Sequence, residues 1–241
     1  MTPKALILYG YGINCDEEVQ HGFDLTGAKT ERVHLNQLIS GEKKLTDYQI
    51  LALPGGFSFG DDLGAGKVLA VKIKYNLQDQ LSAFVEKGGL IIGICNGFQA
   101  LVKLGVLPGT LFANDSGRFE DRWVYLKINQ DSPCIFTKGI DRLYLPVRHG
   151  EGKYISGDAK LQIVAQYVDE KGELAGYPAN PNGSELNIAA VCNDTGRIFG
   201  IMPHPDAFLY SQNHPRWTRE KISAGAGLKV FQNAVEFVKK L

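Results

Sequence analysis

Short apolar runs alternate with helix-like stretches through the first half of the chain. Residues 5–8, 30–33, 50–53 and 90–94 have the length and branching of buried strands. Between them, residues 15–25 predict a helix capped by Asn14. A second helix is predicted from a cap at Asn76 to residue 87, with Leu77, Leu81, Phe84 and Val85 on one face. Strands with no polar alternation, separated by helices, imply an α/β fold with a mostly parallel central sheet flanked by helices. The second half is richer in strand signals, at 124–128, 143–147, 161–168, 188–191 and 198–202, with turn clusters between them. Residues 225–241 read as a terminal amphipathic helix striped by Leu228, Phe231, Val235 and Val238. No internal repeat, low-complexity tract or linker interrupts this pattern, so residues 1–241 are expected to form a single domain. Ligands of parallel sheets bind beyond the strand C-termini. That rule places residues 9–15, residues 54–62 and Cys95 on one edge.

Cys95 is the most informative residue on that edge. The run Leu90-Ile91-Ile92-Gly93-Ile94 ends at the cysteine, Gly97 follows two residues later, and a helical pattern begins at once. This is a G-x-nucleophile-x-G elbow with cysteine in the serine position. Glycine on either side lets neighbouring backbone pass without a Cβ clash. The free N–H groups and dipole of the new helix favour thiolate over thiol. The competing reading is an inert packing cysteine, the usual fate of a thiol in apolar surroundings.

A nucleophilic thiol needs a base. His204, in Met202-Pro203-His204-Pro205-Asp206, directly follows a predicted strand and so lands on the same edge as Cys95. Flanking prolines fix its backbone, and Asp206 can accept from the imidazole and set its tautomer. Pro54-Gly55-Gly56-Phe57-Ser58 follows another strand and can aim backbone N–H groups into a cleft, as an acyl-transfer oxyanion requires. Gln99, one turn into the helix after Cys95, could reach back to an amide substrate. His149 and Gly150 belong to Arg148-His149-Gly150-Glu151-Gly152, which reads as a loop over a pocket. It does not read as a metal site, because no third ligand has matching spacing. Gly10-Tyr11-Gly12 lacks the third glycine of a dinucleotide fingerprint, and residues 60–67 lack P-loop spacing.

Composition narrows the class further. Lys plus Arg equals Asp plus Glu at 26 each, which gives no electrostatic case for nucleic acid or an anionic membrane. No apolar run reaches membrane-spanning length, and the N-terminus lacks a signal-peptide pattern. Four scattered cysteines without a C-x-x-C pair argue against a zinc site or a disulfide framework, and a reducing cytoplasmic location is expected.

Taken together, these segments resemble the class I (triad) glutamine amidotransferases, and among them the glutaminase subunit of phosphoribosylformylglycinamidine synthase. The likeness rests on Gly12-Ile13-Asn14-Cys15-Asp16, Pro54-Gly55-Gly56-Phe57-Ser58, Gly93-Ile94-Cys95-Asn96-Gly97-Phe98-Gln99, His149-Gly150-Glu151-Gly152, Asn180-Pro181-Asn182-Gly183-Ser184 and Met202-Pro203-His204-Pro205. Each is weak alone; six in the family's order are specific, and they span nearly the whole chain. The resemblance implies a flavodoxin-like α/β fold in which Cys95 attacks the side-chain amide of L-glutamine. It implies that Gly56 and Phe57 stabilise the oxyanion, and that His204 protonates the leaving ammonia. The ammonia would pass to a large synthetase subunit, in many bacteria bridged by a small third subunit, for the ATP-dependent amidination of formylglycinamide ribonucleotide in purine biosynthesis. No cofactor is implied for this chain; ATP and Mg are implied for the synthetase. The family's third triad member is glutamate, whereas Asp206 stands here. One methylene shorter, it must come from a shifted backbone or act through water. The alternatives are another class I amidotransferase or an impaired, regulatory amidotransferase-like module. Residues 207–219 are longer than the resemblance implies, and a subunit contact is one reading of them.

Overall fold

A computed structural model describes residues 2–157, 160–222 and 224–241. In chain order, β1 (Lys4–Tyr9) leads to α1 (Asp16–Leu25), β2 (Lys29–His34), the short α2 (Leu35–Ile39) and β3 (Ile50–Leu53). Next come α3 (Lys67–Glu86), β4 (Leu90–Ile94), α4 (Asn96–Leu104), β5 (Thr110–Phe112), β6 (Glu120–Ile128), β7 (Arg142–His149) and β8 (Lys153–Ile155). The chain finishes with β9 (Gln162–Val168), β10 (Ile188–Cys192), β11 (Ile198–Ile201) and α5 (Leu228–Lys239).

Nine of these strands form one sheet in the order β2-β1-β3-β4-β11-β10-β9-β6-β7, and β5 pairs with β8 apart from it. From β2 to β11 every pairing is parallel. Beyond β11 every pairing is antiparallel. Only β10 and β6 are thereby reversed, so seven of the nine strands point the same way. The C-terminal ends of β1, β3, β4, β11 and β7 therefore share one edge, and the expected site segments meet there. Burial explains the parallel half. β3 and β4 are buried at every position, which leaves no polar face to present to water. α3 packs on α4, while α1 packs on α5 with Phe23 and Phe231 edge-to-face at 4.9 Å.

Three helices begin elsewhere than the sequence suggests, and the terminal one, α5, does so by three residues, at Leu228 and not 225. α3 starts at Lys67, ten residues before the start expected from a cap at Asn76. Its buried stripe already runs through Leu69, Ala70 and Ile73, and Gly66 in the left-handed region opens it. Asn76 lies mid-helix, where its side chain donates back to the Lys72 carbonyl at 2.8 Å. α1 has Cys15, and not Asn14, at its cap position with no side-chain cap bond. Asp16, Glu17 and Glu18 in its first turn complement the helix dipole instead.

The tightest packing of the parallel half lies at Gly97, where an added Cβ would stand 1.9 Å from the Leu53 carbonyl oxygen. Gly97→Ala should therefore destabilise the fold by about 3 kcal/mol or more. Gly176→Ala, where an added Cβ meets nothing within 4 Å, should stay within about 0.5 kcal/mol of the parent. Urea unfolding midpoints of the two variants check this; equal midpoints would contradict it.

Candidate active site

The elbow is built by exclusion. Added Cβ atoms at Gly93 and Gly97 would meet, respectively, the Gly97 backbone at 2.8 Å and Leu53 at 1.9 Å. Any larger residue would push α4 off β3 and β4. Cys95, held between them, adopts φ 49° and ψ −104°, a conformation costly for a residue with a Cβ. Its N–H donates to the Ile201 carbonyl at 2.8 Å, tying β4 to the end of β11. Its carbonyl accepts from the Gln99 N–H at 3.0 Å, which starts α4. The thiol is buried and donates to the Arg148 carbonyl at 3.6 Å.

His204 leaves the end of β11, and its N–H donates to the Pro146 carbonyl of β7 at 2.9 Å. Its ring is 2% exposed and Nδ1 lies 3.3 Å from Asp206 Oδ2, whose side chain is fully buried. The shorter aspartate thus reaches the imidazole directly, without an intervening water. A short 3-10 turn at Pro205–Ala207 presents the carboxylate to the ring that precedes it. Burial opposes charge on the imidazole, but Asp206 and the neighbouring Cys15 and Cys95 thiols outweigh it and hold the His204 pKa above its ordinary value. His204 Nε2 is buried with no protein partner, as is Asp206 Oδ1. Gly55 marks the convergence. A Cβ there would stand 2.7 Å from His204 Cε1, 3.4 Å from Cys15 Sγ and 3.5 Å from Cys95 Cβ. Cys15, His204 and Asp206 offer donor atoms within 4.8 Å of one another. Two of the three are already bound to each other, so the arrangement is an acid–base pair with a second thiol beside it.

The loop after β3 changes one expectation. The Phe57 N–H donates to the Gly12 carbonyl at 2.7 Å, so it is engaged and unavailable to an oxyanion. Gly12 reaches it because the Gly10–Cys15 loop bridges to Gly56 through Ile13. Gly56 itself has φ 142°, and an added Cβ would fall 2.5 Å from the Gly12 carbonyl oxygen. Among the described residues, the Gly56 and Asn96 N–H groups donate to no protein acceptor. Asn96 follows Cys95, the position that supplies an oxyanion donor in nucleophile elbows; in the sequence it stands out as part of the elbow motif but not as a donor. The Phe57 ring is half exposed and lies 6.3 Å from Phe119, forming a lip beside the cleft.

Gln99 and His149 are placed close to Cys95 but hold the structure together. Gln99 donates to the Glu151 carbonyl at 2.5 Å and accepts from Asn96 Nδ2 at 2.9 Å, so both ends of its amide are occupied. His149 is buried, with Nδ1 at 3.1 Å from Asn114 Oδ1 and Nε2 at 3.4 Å from Asn182 Nδ2. Asn114 Oδ1 is an acceptor and Asn182 Nδ2 a donor, so the ring is neutral with its proton on Nδ1. Burial, and then the nearby His204, push the His149 pKa down to about 4, in accord with that tautomer. The Gly150 carbonyl accepts from the Asn114 N–H at 2.9 Å. Asn114 also donates to the His149 carbonyl at 2.8 Å and accepts from the Gly152 N–H at 2.9 Å. This buried asparagine organises the loop, yet it stands in no motif that would single it out. Asn180, Asn182 and Ser184 form the floor below it. Residues 207–219 cover the outer strands. Phe208 and His214 are buried against Trp123 at 5.3 and 5.8 Å, and Arg216 lies over the Tyr144 ring at 5.7 Å.

Comparison with known proteins agrees with this geometry. Residues 2–238 match the CobB/CobQ-like glutamine amidotransferase domain. The chain is 50% identical to the phosphoribosylformylglycinamidine synthase subunit PurQ of Dehalococcoides mccartyi, over 99% of this chain and 98% of the relative. It is 36% identical to the PurQ subunit of Thermotoga maritima over the full length of both. Among solved structures it superposes on a chain of PurLQS from Thermotoga maritima with a TM-score of 0.79 and 35% identity, over 99% of this chain and 100% of that one. A further glutamine amidotransferase of Thermotoga maritima, 18% identical with a TM-score of 0.56, over 100% of this chain and 93% of that one, shares the fold. The chain belongs to the glutamine amidotransferases and, within them, to the family of PurQ subunits of phosphoribosylformylglycinamidine synthase.

Proposed function

We propose that Cys95, His204 and Asp206 form the triad of a glutaminase that supplies ammonia to phosphoribosylformylglycinamidine synthase. One observation carries the assignment: a buried residue with a thiol, on a strained elbow, converges at Gly55 with a buried imidazole whose Nε2 has no partner and whose Nδ1 is held by a carboxylate. The Cys95 thiolate adds to the side-chain amide carbon of L-glutamine, and the Gly56 and Asn96 N–H groups face the oxyanion. As the C–N bond breaks, His204 gives a proton to the departing nitrogen, leaving a glutamyl thioester and ammonia. Water, deprotonated by His204, then attacks the thioester, releasing glutamate and restoring the thiol. Gly150 and His149 shape the wall of the pocket through the Asn114 network, and Gln99 clamps that wall to α4. The whole chain, 1–241, works as one glutamine amidotransferase domain.

The full-length likeness to PurQ subunits and to a PurLQS chain supports a synthetase subunit and a small bridging subunit as partners. ATP and Mg would act on the synthetase. No described helix is long and apolar enough to cross a membrane, and a cytoplasmic location fits both this and purine synthesis.

Assayed in complex with its synthetase partner, Cys95→Ala should lose glutamine-dependent ammonia release by more than about a thousandfold. A glutamine-analogue electrophile should label Cys95 and not Cys15 on peptide mapping. Unchanged hydrolysis by Cys95→Ala would sink the assignment, and absence of label on Cys95 would instead favour a regulatory module.

The His204 pKa also dictates a pH dependence. Because it is raised in the folded protein, the imidazolium persists above the ordinary value near 6.5 and is lost only as the pH climbs through the raised value. Asp206→Asn removes the carboxylate responsible. The alkaline limb of kcat against pH should then move down by about one unit or more, and kcat should fall about a hundredfold or more. An unmoved limb would show that Asp206 does not set the imidazole's charge.

A further inference from the structure

Asp206 is a demanding residue to hold in place. Its side chain is fully buried, it bonds His204 through one oxygen at 3.3 Å, and its other oxygen has no protein partner. A buried carboxylate without compensation takes up a proton or turns away from its partner. Being one methylene shorter than glutamate, this carboxylate also has little reach to lose. The end of β7 supplies a cation. The Arg148 Nη2 lies 3.8 Å from Asp206 Oδ2, the same oxygen that meets His204. Arg148 also provides the carbonyl that accepts from the Cys95 thiol at 3.6 Å. One residue thus touches both the nucleophile and the orienting acid. Its side chain is 38% exposed, so the guanidinium spans from the cleft to the buried carboxylate.

We propose that Arg148 is a positioning residue for this triad, whose guanidinium keeps the Asp206 carboxylate turned towards His204. The proposal rests on the triad assignment above and extends it from three residues to four. The other titratable groups facing the triad do not do this work. Cys15, beside the His204 ring, carries no positive charge in either protonation state. His149, from the same strand end, is held neutral by its buried hydrogen bonds. Tyr167, under the nucleophile, donates no cation either. Among the described residues, Arg148 is the only lysine or arginine in an ion pair with Asp206. Its charge is permanent at any pH the protein meets, which suits a group meant to fix a charge.

The effect runs through the chain Arg148, Asp206, His204, Cys95. Without the guanidinium, the Asp206 carboxylate is held less firmly towards His204 and orients it less. The imidazolium that pairs with the Cys95 thiolate is then less populated, and the thiolate forms only at higher pH. Loss of a cation also relieves repulsion on the imidazolium, which would shift Cys95 the opposite way. The sign of the shift therefore discriminates between the two effects.

The test uses the full chain in complex with its synthetase partner. The rate of Cys95 alkylation by iodoacetamide is followed against pH by peptide mapping, alongside ammonia release from glutamine. Arg148→Met should slow Cys95 alkylation about tenfold between pH 6 and 7 and move the profile's midpoint up by about one unit, a tenfold change per unit. Its kcat should fall by a similar factor with KM for glutamine within about twofold. Arg148→Lys should recover most of both. In an Asp206→Asn background, Arg148→Met should add less than about twofold. A downward or absent shift of the alkylation midpoint would overturn the proposal, as would a full tenfold loss persisting in the Asp206→Asn background. A rise in KM with unchanged kcat and profile would also overturn it and make Arg148 a substrate-binding group. Alkylation reads Cys95 without glutamine, so failure of the parent complex to release ammonia would discredit the glutaminase reading separately from the role of Arg148.

Discussion

The approach of α4 to the end of β3 is the contact on which the rest of the site depends. Gly97 passes so close to the Leu53 carbonyl that no side chain fits between them. That closeness leaves a single residue, Cys95, to make the turn from strand to helix, and it does so at positive φ. The cost is local, while the restraints are distributed. The parallel pairings of β4 with β3 and β11 fix the strand, and the Cys95 N–H bond to Ile201 fixes the turn against the strand that carries His204. Cys95 and His204 are therefore registered to each other by main-chain hydrogen bonds, and only their last few ångströms depend on side-chain rotamers.

A polar layer surrounds that rigid turn. Asn96 bridges Asp61 and Gln99, and Gln99 holds the Glu151 carbonyl. The Glu151 carboxylate in turn accepts from the Ala65 N–H and lies 3.8 Å from Lys103. Loops after β3 and β7 are thus fastened to α4, the helix that Cys95 caps. Burial raises the Asp61 pKa and lowers that of Lys103, as expected for charged groups drawn partly out of water. Buried polar networks of this kind are favourable when every member is satisfied. Three buried atoms nearby lack a protein partner: Ser58 Oγ within this layer, and His204 Nε2 and Asp206 Oδ1 beside Cys95.

Fixed backbone leaves a mark in the sequence through glycine and proline neighbours, whereas hydrogen-bond partners distant in sequence leave none. Cys95, His204 and Asp206 meet at one sheet edge, where their glycine and proline neighbours had placed them. Phe57 was expected to donate to an oxyanion. Nothing in Pro54-Gly55-Gly56-Phe57 reveals that Gly12, on another loop, takes that N–H. Gln99 and His149 were expected to face substrate, but their polar atoms are drawn inward by Glu151, Asn114 and Asn182. The start of α3 was missed for a related reason. Asn76 looks like a cap in one dimension, and the buried stripe beginning at Leu69 shows itself against β3 and α4.

By itself the sequence determined the α/β class, the parallel half of the sheet and the family, and it placed Cys95 and His204 at the ends of neighbouring strands. These follow from local periodicity and from residue types that few backbones tolerate. Tertiary structure decided which N–H groups remain free, which polar side chains serve the scaffold, and that Asp206 reaches His204 directly with Arg148 at its side. Such contacts join β7, β11 and the elbow across more than fifty residues of chain. Hydrogen bonds and ion pairs have no period along a sequence; they exist only once the sheet has set its strand ends side by side.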